Sequence, residues 1–172
     1  MKTKHLEDEM IGWRHDFHLH PELGFEEHRT AAKVADLLEE FGIQVHREIG
    51  GTGVVGILQS GEGKRSIGLR ADMDALPIEE KGSSVYSSQH TGVMHACGHD
   101  GHTSMLLGAA KYLVDSRDFD GRVVFIFQPN EEHGLGAPSY CPDANSSPDF
   151  VHWRRSSRTE LLPVDVRLRP HG

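Results

Sequence analysis

The sequence predicts an α/β domain with a mostly parallel or mixed central sheet flanked by helices. Three observations lead there. Amphipathic helical stretches alternate with short apolar runs, glycine clusters mark the boundaries between them, and Val123-Val124-Phe125-Ile126-Phe127 is apolar at every position, as suits a strand covered on both faces. At 172 residues the chain has room for about one ordinary domain and no second full one.

Leu6, Met10, Trp13 and Phe17 recur at helical spacing, so the first segment reads as an amphipathic helix ending near His20-Pro21. A second helix is expected from about Glu26 to Phe41. Ala31, Val34, Ala35, Leu38 and Phe41 make its apolar stripe, and Gly42 supplies the stop. Gly50-Gly51-Thr52-Gly53 then punctuates the chain ahead of Val54–Leu58, and Gly61-Glu62-Gly63 turns it before Ile67-Gly68-Leu69; two strands paired through a tight turn fit that pattern. Leu106, Ala109, Ala110 and Leu113 imply a third helix from Thr103 to about Val114, with Asp100 or Thr103 as its cap. Pro129 ends the strand that follows. In such an open sheet, reactive residues are expected beyond the strand ends.

Composition narrows the function classes. A formal net charge of -8 disfavours nucleic acid and anionic lipid, which need clustered Lys and Arg. No apolar run approaches the about 18 residues of a membrane span, and the charged opening residues argue against a leader, so a cytoplasmic protein is expected. The two cysteines, Cys97 and Cys141, are too few for a disulfide framework. Thirteen histidines are the conspicuous excess, and imidazole is the commonest ligand for transition metals.

Three segments hold groups that can do chemistry. Met94-His-Ala-Cys-Gly-His-Asp-Gly-His-Thr103 sets three imidazoles, a thiol and a carboxylate just before a helix. The single residue between Cys97 and His99 is unlike a zinc finger; a loop presenting both to one metal competes with a buried thiol among hydrogen-bonding histidines. At Gln128-Pro-Asn-Glu-Glu-His133 two adjacent carboxylates follow the buried strand. They form either a solvated acidic turn or a pair in which one binds a cation while its neighbour exchanges protons with water. Arg70-Ala-Asp-Met-Asp-Ala-Leu-Pro77 places Asp72 and Asp74 at alternate positions where a strand leaves the sheet, so both can point the same way. Three such segments, each at a strand end or helix start, favour a metal site.

Taken in order, Trp13-Arg-His-Asp-Phe-His-Leu-His-Pro-Glu-Leu-Gly-Phe-Glu-Glu27, Gly51-Thr-Gly-Val-Val-Gly56, Leu69-Arg-Ala-Asp-Met-Asp-Ala-Leu-Pro-Ile78, the Cys97 segment and Ile126-Phe-Gln-Pro-Asn-Glu-Glu132 resemble the M20 family of metallopeptidases and amidohydrolases, in its aminoacylase, hippurate hydrolase and IAA-amino acid hydrolase branch. The resemblance spans roughly residues 10 to 137. It implies a Zn-dependent exopeptidase-like fold and hydrolysis of N-acyl amino acids, such as N-acetyl, N-benzoyl or indole-acyl conjugates. It also implies two divalent metal ions (Zn, Mn, Ni or Co) per complete site. Within that site Cys97, His99 and Glu132 match metal ligands, Glu131 matches the general base, and Asp74 matches the acidic residue beside the metals; Asp72 stands where other branches carry a ligating histidine.

From Pro138 onward the text changes character. Five of the eight prolines fall there and every basic residue is Arg. The expected organisation is therefore a partial catalytic domain over 1–137 and a divergent tail over 138–172, as a shifted frame or altered splice would produce. The lid and dimerisation domain implied by the resemblance is not recognisable, and neither His152 nor His171 matches a family ligand. A truncated domain would leave the Val123–Phe127 strand with an unpaired edge open to self-association. The expected activity is that of an incomplete amidohydrolase. The alternatives are an inactive fragment or metal-binding remnant, or a regulatory partner docking through the sheet edge.

Overall fold

The computed structural model describes residues 2–136. The expected tail, with Cys141, His152 and His171, lies outside them. The elements in chain order are α1 (Lys2–Leu19), α2 (His28–Glu40), β1 (Gln44–Ile49), β2 (Gly53–Ser60), β3 (Ser66–Asp72), α3 (His99–Ser116) and β4 (Gly121–Gln128). The strands form one mixed sheet in the order β1-β2-β4-β3: β2 runs antiparallel to β1 and β4, and β3 runs parallel to β4. None of the described helices is long and apolar enough to cross a membrane.

Helix α1 buries Phe17 completely and turns Trp13 toward Phe41, the ring centroids lying 5.9 Å apart. It lies close against α3, because a Cβ on Gly108 would sit 2.4 Å from Met10 Sδ. Helix α2 buries Val34, Ala35 and Leu38 along the expected stripe. It ends as the glycine forecast: Gly42 takes φ +79°, its N–H reaches the Glu39 carbonyl and the Ile43 N–H reaches the Leu38 carbonyl, closing a Schellman turn. At the other end, the Glu22 carboxylate accepts the N–H groups of Arg29 at 2.9 Å and Thr30 at 2.8 Å, satisfying two orphan donors from outside the helix. Glu22→Ala is expected to destabilise the domain by about 1 kcal/mol, measured by urea unfolding.

Two expectations about the sheet are overturned. The strands around Val54–Leu58 and Ile67–Leu69 do not pair, because β4 lies between them. The Gly61–Gly63 turn closes on Asp120, just ahead of β4, rather than folding β3 back onto β2. The Gly63 N–H donates to Asp120 Oδ1 at 2.7 Å, and a Cβ on Gly61 would lie 2.2 Å from that oxygen. Consequently β4 has no free edge: it is hydrogen-bonded on both sides, and the ends of the sheet as described are β1 and β3. Strand β1 escaped the sequence reading because only Val45 and Ile49 among its residues are apolar, and it is half exposed throughout.

The buried character of β4 holds on both faces. Val123, Phe125 and Phe127 join Phe17, Val34, Leu38, Leu106, Leu107 and Ala110 in the main core, while Val124 and Ile126, with alternate side chains, are buried as well. Helix α3 starts at His99, four residues before the predicted Thr103, behind Gly98 in the left-handed conformation (φ +88°). Neither Asp100 nor Thr103 caps it. Asp100 lies in the first turn, and the Thr103 hydroxyl donates to the Asp72 carbonyl oxygen at 2.9 Å. Periodicity missed this first turn because its two buried residues, His99 and Asp100, are polar.

Candidate metal centre

Parallel pairing of β3 with β4 brings two acidic segments to one end of the sheet. The pairing runs to Asp72 opposite Gln128, and the Met73 N–H still reaches the Gln128 carbonyl oxygen at 3.0 Å. Asp72 and Asp74 leave β3 there, and Glu131 and Glu132 follow β4 through a turn in which Asn130 has φ +47°. The long connection from β3 to α3 is folded back by a reciprocal bridge between Leu76 and Met94, each N–H donating to the other's carbonyl oxygen at 3.0 Å. That bridge returns Cys97 to the same place, and Gly98 turns the chain so that His99 enters from the first turn of α3.

His99 is the hub. Its side chain is 2% exposed. Nδ1 lies 2.8 Å from the Asp74 carbonyl oxygen and 3.3 Å from Asp74 Oδ1; the shorter contact takes the proton, which turns the Nε2 edge toward the other acids. Nε2 stands 3.5 Å from Asp72 Oδ1, 3.8 Å from Glu132 Oε1 and 4.0 Å from Glu131 Oε2. Asp74, fully buried, also accepts the Glu132 N–H on Oδ2 at 3.0 Å, so one residue orients the imidazole through its backbone carbonyl and the acidic turn through its carboxylate.

Ligand-capable atoms of Cys97, His99 and Glu132 all lie within 4.8 Å of one another. The structure thus brings together the residues named from sequence: Cys97, His99 and Glu132 in one cluster, with Glu131 and Asp74 against it. Cys97 is exposed, not a buried apolar filler. Glu132 Oε1 is buried without a hydrogen-bond partner among the described residues, as an oxygen reserved for a cation would be. The electrostatics agree with a cation at this point. Burial, then the hydrogen bond to Glu132 and the charges of Glu132, Asp72 and Glu131, push the Cys97 thiol up. Burial works against charge on His99, but the hydrogen bond to Asp74 and the charges of Asp72 and Asp74 outweigh it and raise the imidazole to about 8. The donor set fits a divalent ion able to accept sulfur, nitrogen and oxygen together.

Sequence reasoning left three features unassigned. His102, one turn along α3 from His99, hydrogen-bonds Asp72 Oδ1 through Nδ1 at 2.7 Å, so Asp72, His99 and His102 form a second ligand-capable group. His102 was visible in the histidine-rich segment, but its partner came from a strand far away in sequence. Behind the first turn of α3, His18 Nδ1 meets Asp100 Oδ2 at 2.9 Å and His18 Nε2 meets Glu80 Oε1 at 3.3 Å, locking α1 to the site. Beside them His95 is buried, and that burial pushes its imidazole down to about 4.

The sequence profile of peptidase family M20/M25/M40 matches residues 68–164, more than half of the chain and every residue of the acidic and Cys97 segments. The chain belongs to this family. Among relatives of this M20 chain, the hippurate hydrolase of Campylobacter jejuni is 56% identical over 131 residues, which cover 76% of this chain and 34% of that protein. The N-acetyl-L-cysteine deacetylase of Bacillus subtilis is 46% identical over 139 residues, covering 80% and 33%. In three dimensions the M20 domain is similar to the YXEP protein of Bacillus subtilis, a dinuclear metal-binding peptidase. The TM-score is 0.77 at 40% identity, over 81% of this chain and 40% of that one. The chain therefore spans about a third of the length of the curated relatives it matches.

Proposed function

We propose that this chain carries part of the catalytic centre of a metal-dependent amidohydrolase that cleaves the amide bond of N-acyl amino acids. The observation that carries the reading is the meeting of Cys97, His99 and Glu132 within 4.8 Å, with Glu131 alongside. The activities named for the Campylobacter and Bacillus relatives, release of an amino acid from a benzoyl or acetyl group, support the substrate class.

Cys97, His99 and Glu132 would hold a divalent cation. Asp72 and His102 would offer ligands to a second, to which His99 could not lend the same ring nitrogen at the same time. When bound, such ions acidify water and polarise the scissile carbonyl. The remaining chemistry belongs to the chain. Glu131 is 38% exposed and Glu132 18%, so the more open Glu131 reaches water and substrate, accepting a proton from the attacking water and returning it to the departing amine. Asp74 fixes the His99 ring and the Glu132 backbone, holding the ligand set in place before substrate arrives.

Elemental analysis of the expressed chain, combined with an assay for amino acid released from N-acetyl and N-benzoyl substrates, tests this reading. Bound divalent metal is expected, with whatever amino-acid release the chain supports abolished by a chelator; a folded chain that binds none in excess zinc or manganese would overturn it. Metal uptake should also release protons in a pH-dependent way. Near pH 7 both the Cys97 thiol and the His99 imidazolium give up a proton, so about two are expected, falling toward one as pH rises past about 8 and His99 is already neutral. Calorimetry in buffers of different ionisation enthalpy reads this number directly.

A further inference from the structure

Glu27 is a wholly buried carboxylate that the proposed chemistry does not use. It stands at the N-cap of α2, where a side chain ordinarily accepts an N–H from the first helical turn, yet it makes no such bond. Glu22 has taken those donors. Relieved of capping, the Glu27 carboxylate bonds in two other directions: it accepts the Thr52 hydroxyl, from the turn before β2, and the Asn130 N–H at 2.8 Å. A buried carboxylate is costly to maintain unless it is well paired, and an apolar side chain would fill the space more cheaply. What it holds therefore matters more than what it fills.

Asn130 is the residue just ahead of Glu131 and Glu132, and its placement is tightly determined. It adopts φ +47°; its Oδ1 meets His133 Nδ1 at 2.7 Å; its carbonyl oxygen accepts the Gly136 N–H at 3.1 Å. Gly24 leaves the space for its side chain, since a Cβ there would fall 2.1 Å from Asn130 Oδ1. Two carboxylates thus grip the acidic turn by its backbone: Glu27 through the Asn130 N–H and Asp74 through the Glu132 N–H.

We propose that Glu27 is a positioning residue, its carboxylate anchoring the Asn130 N–H so that the turn presents Glu131 and Glu132 to Cys97 and His99. Only the purpose of the turn rests on the metal-site reading; the anchoring itself does not. Glu27→Gln keeps an acceptor oxygen for Asn130, and its amide can donate to the Thr52 hydroxyl oxygen. Glu27→Leu keeps the volume and removes the acceptor.

The experiment is residue-resolved amide exchange on the metal-free 172-residue chain, followed by zinc titration of the same variants. In Glu27→Leu the Asn130 amide is expected to exchange at least about tenfold faster while the β4 amides of Val124 to Ile126 keep their protection. Zinc affinity should fall about 10- to 100-fold. Glu27→Gln should restore both, which a purely volumetric role would not require. Unchanged Asn130 exchange in Glu27→Leu, or equal losses in the Gln and Leu variants, would overturn the proposal. If Glu27→Leu does not fold, Thr52→Val decides: losing half of the carboxylate's anchorage should speed Asn130 exchange about threefold or more, and unchanged exchange overturns the anchoring. Absence of zinc binding by the parent chain would sink the metal-site reading instead, while the exchange data still decide what Glu27 does.

Discussion

Under the proposed function, Glu131→Gln is expected to remove most turnover of an N-acyl amino acid while leaving metal content and folding unchanged. The two carboxylates after β4 are neighbours in sequence but not equivalent in space. Glu132 is the more enclosed, with one oxygen buried beside His99 Nε2 and without a hydrogen-bond partner among the described residues, whereas Glu131 stands open at 4.0 Å from the same nitrogen. Glutamine preserves the shape of Glu131 but cannot accept a proton, so kcat should fall by about 10²- to 10⁴-fold, the range typical of a general acid–base group. The contrasting change is Glu132→Gln, which should lower metal occupancy first and activity as a consequence. Steady-state kinetics beside elemental analysis separates the two. If Glu131→Gln lost metal and Glu132→Gln did not, the two roles would have to be exchanged.

Asp74→Ala should have the largest combined effect on stability and metal affinity. It removes an oxygen that holds the Glu132 N–H and, with it, the charge that helps keep the His99 imidazole protonated up to about 8. A loss of about 3 kcal/mol near pH 6 is expected, in the range for breaking one side of a buried charged pair, and zinc affinity should drop by about 10- to 100-fold.

The pH dependence of the metal-free chain has two limbs with opposite signs. Burial alone would raise the Asp74 carboxyl, but the His99 hydrogen bond, the Glu132 and Glu131 backbone N–H groups and the His99 charge hold it below its ordinary 3.8. Its contribution is complete above the unfolded value and is lost as pH falls through the lower folded one. The His99 contribution is complete below its unfolded value near 6.5 and is lost as pH rises through about 8. The pair is therefore worth most between about pH 4 and 6.5, and Asp74→Asn should flatten both limbs. Urea unfolding across pH 3 to 9 would show it; parallel curves for the two proteins would mean that the pair does not couple in this way.

How much of this was legible in the sequence follows from what each signal measures. Periodicity reports burial of one face of a regular element. The stripe of Val34, Ala35 and Leu38 and the apolar run of β4 therefore appeared where the structure has them, and Gly42 ended α2 through the same left-handed turn that its residue type suggests. Residue chemistry at strand ends and helix starts is equally visible: Cys97, His99, Glu131, Glu132 and Asp74 all stand out in the sequence by type and position, and the fold draws them together.

Pairing is not a local property, and here the tertiary structure alone decided. Nothing near Val54–Leu58 or Ile67–Leu69 shows that a strand more than fifty residues later enters between them, with Asp120 just ahead of it accepting the Gly63 N–H. The bonds that orient the site have the same character. Asp72 with His102, Asp74 with His99 and Glu27 with Asn130 each join residues 25 to 103 positions apart, so no window of sequence contains both partners. The chain by itself determined which groups are present and which elements carry them. The three-dimensional structure determined which of those groups face one another, because direction and distance between side chains are set by how strands pair and how helix ends dock, not by residue type.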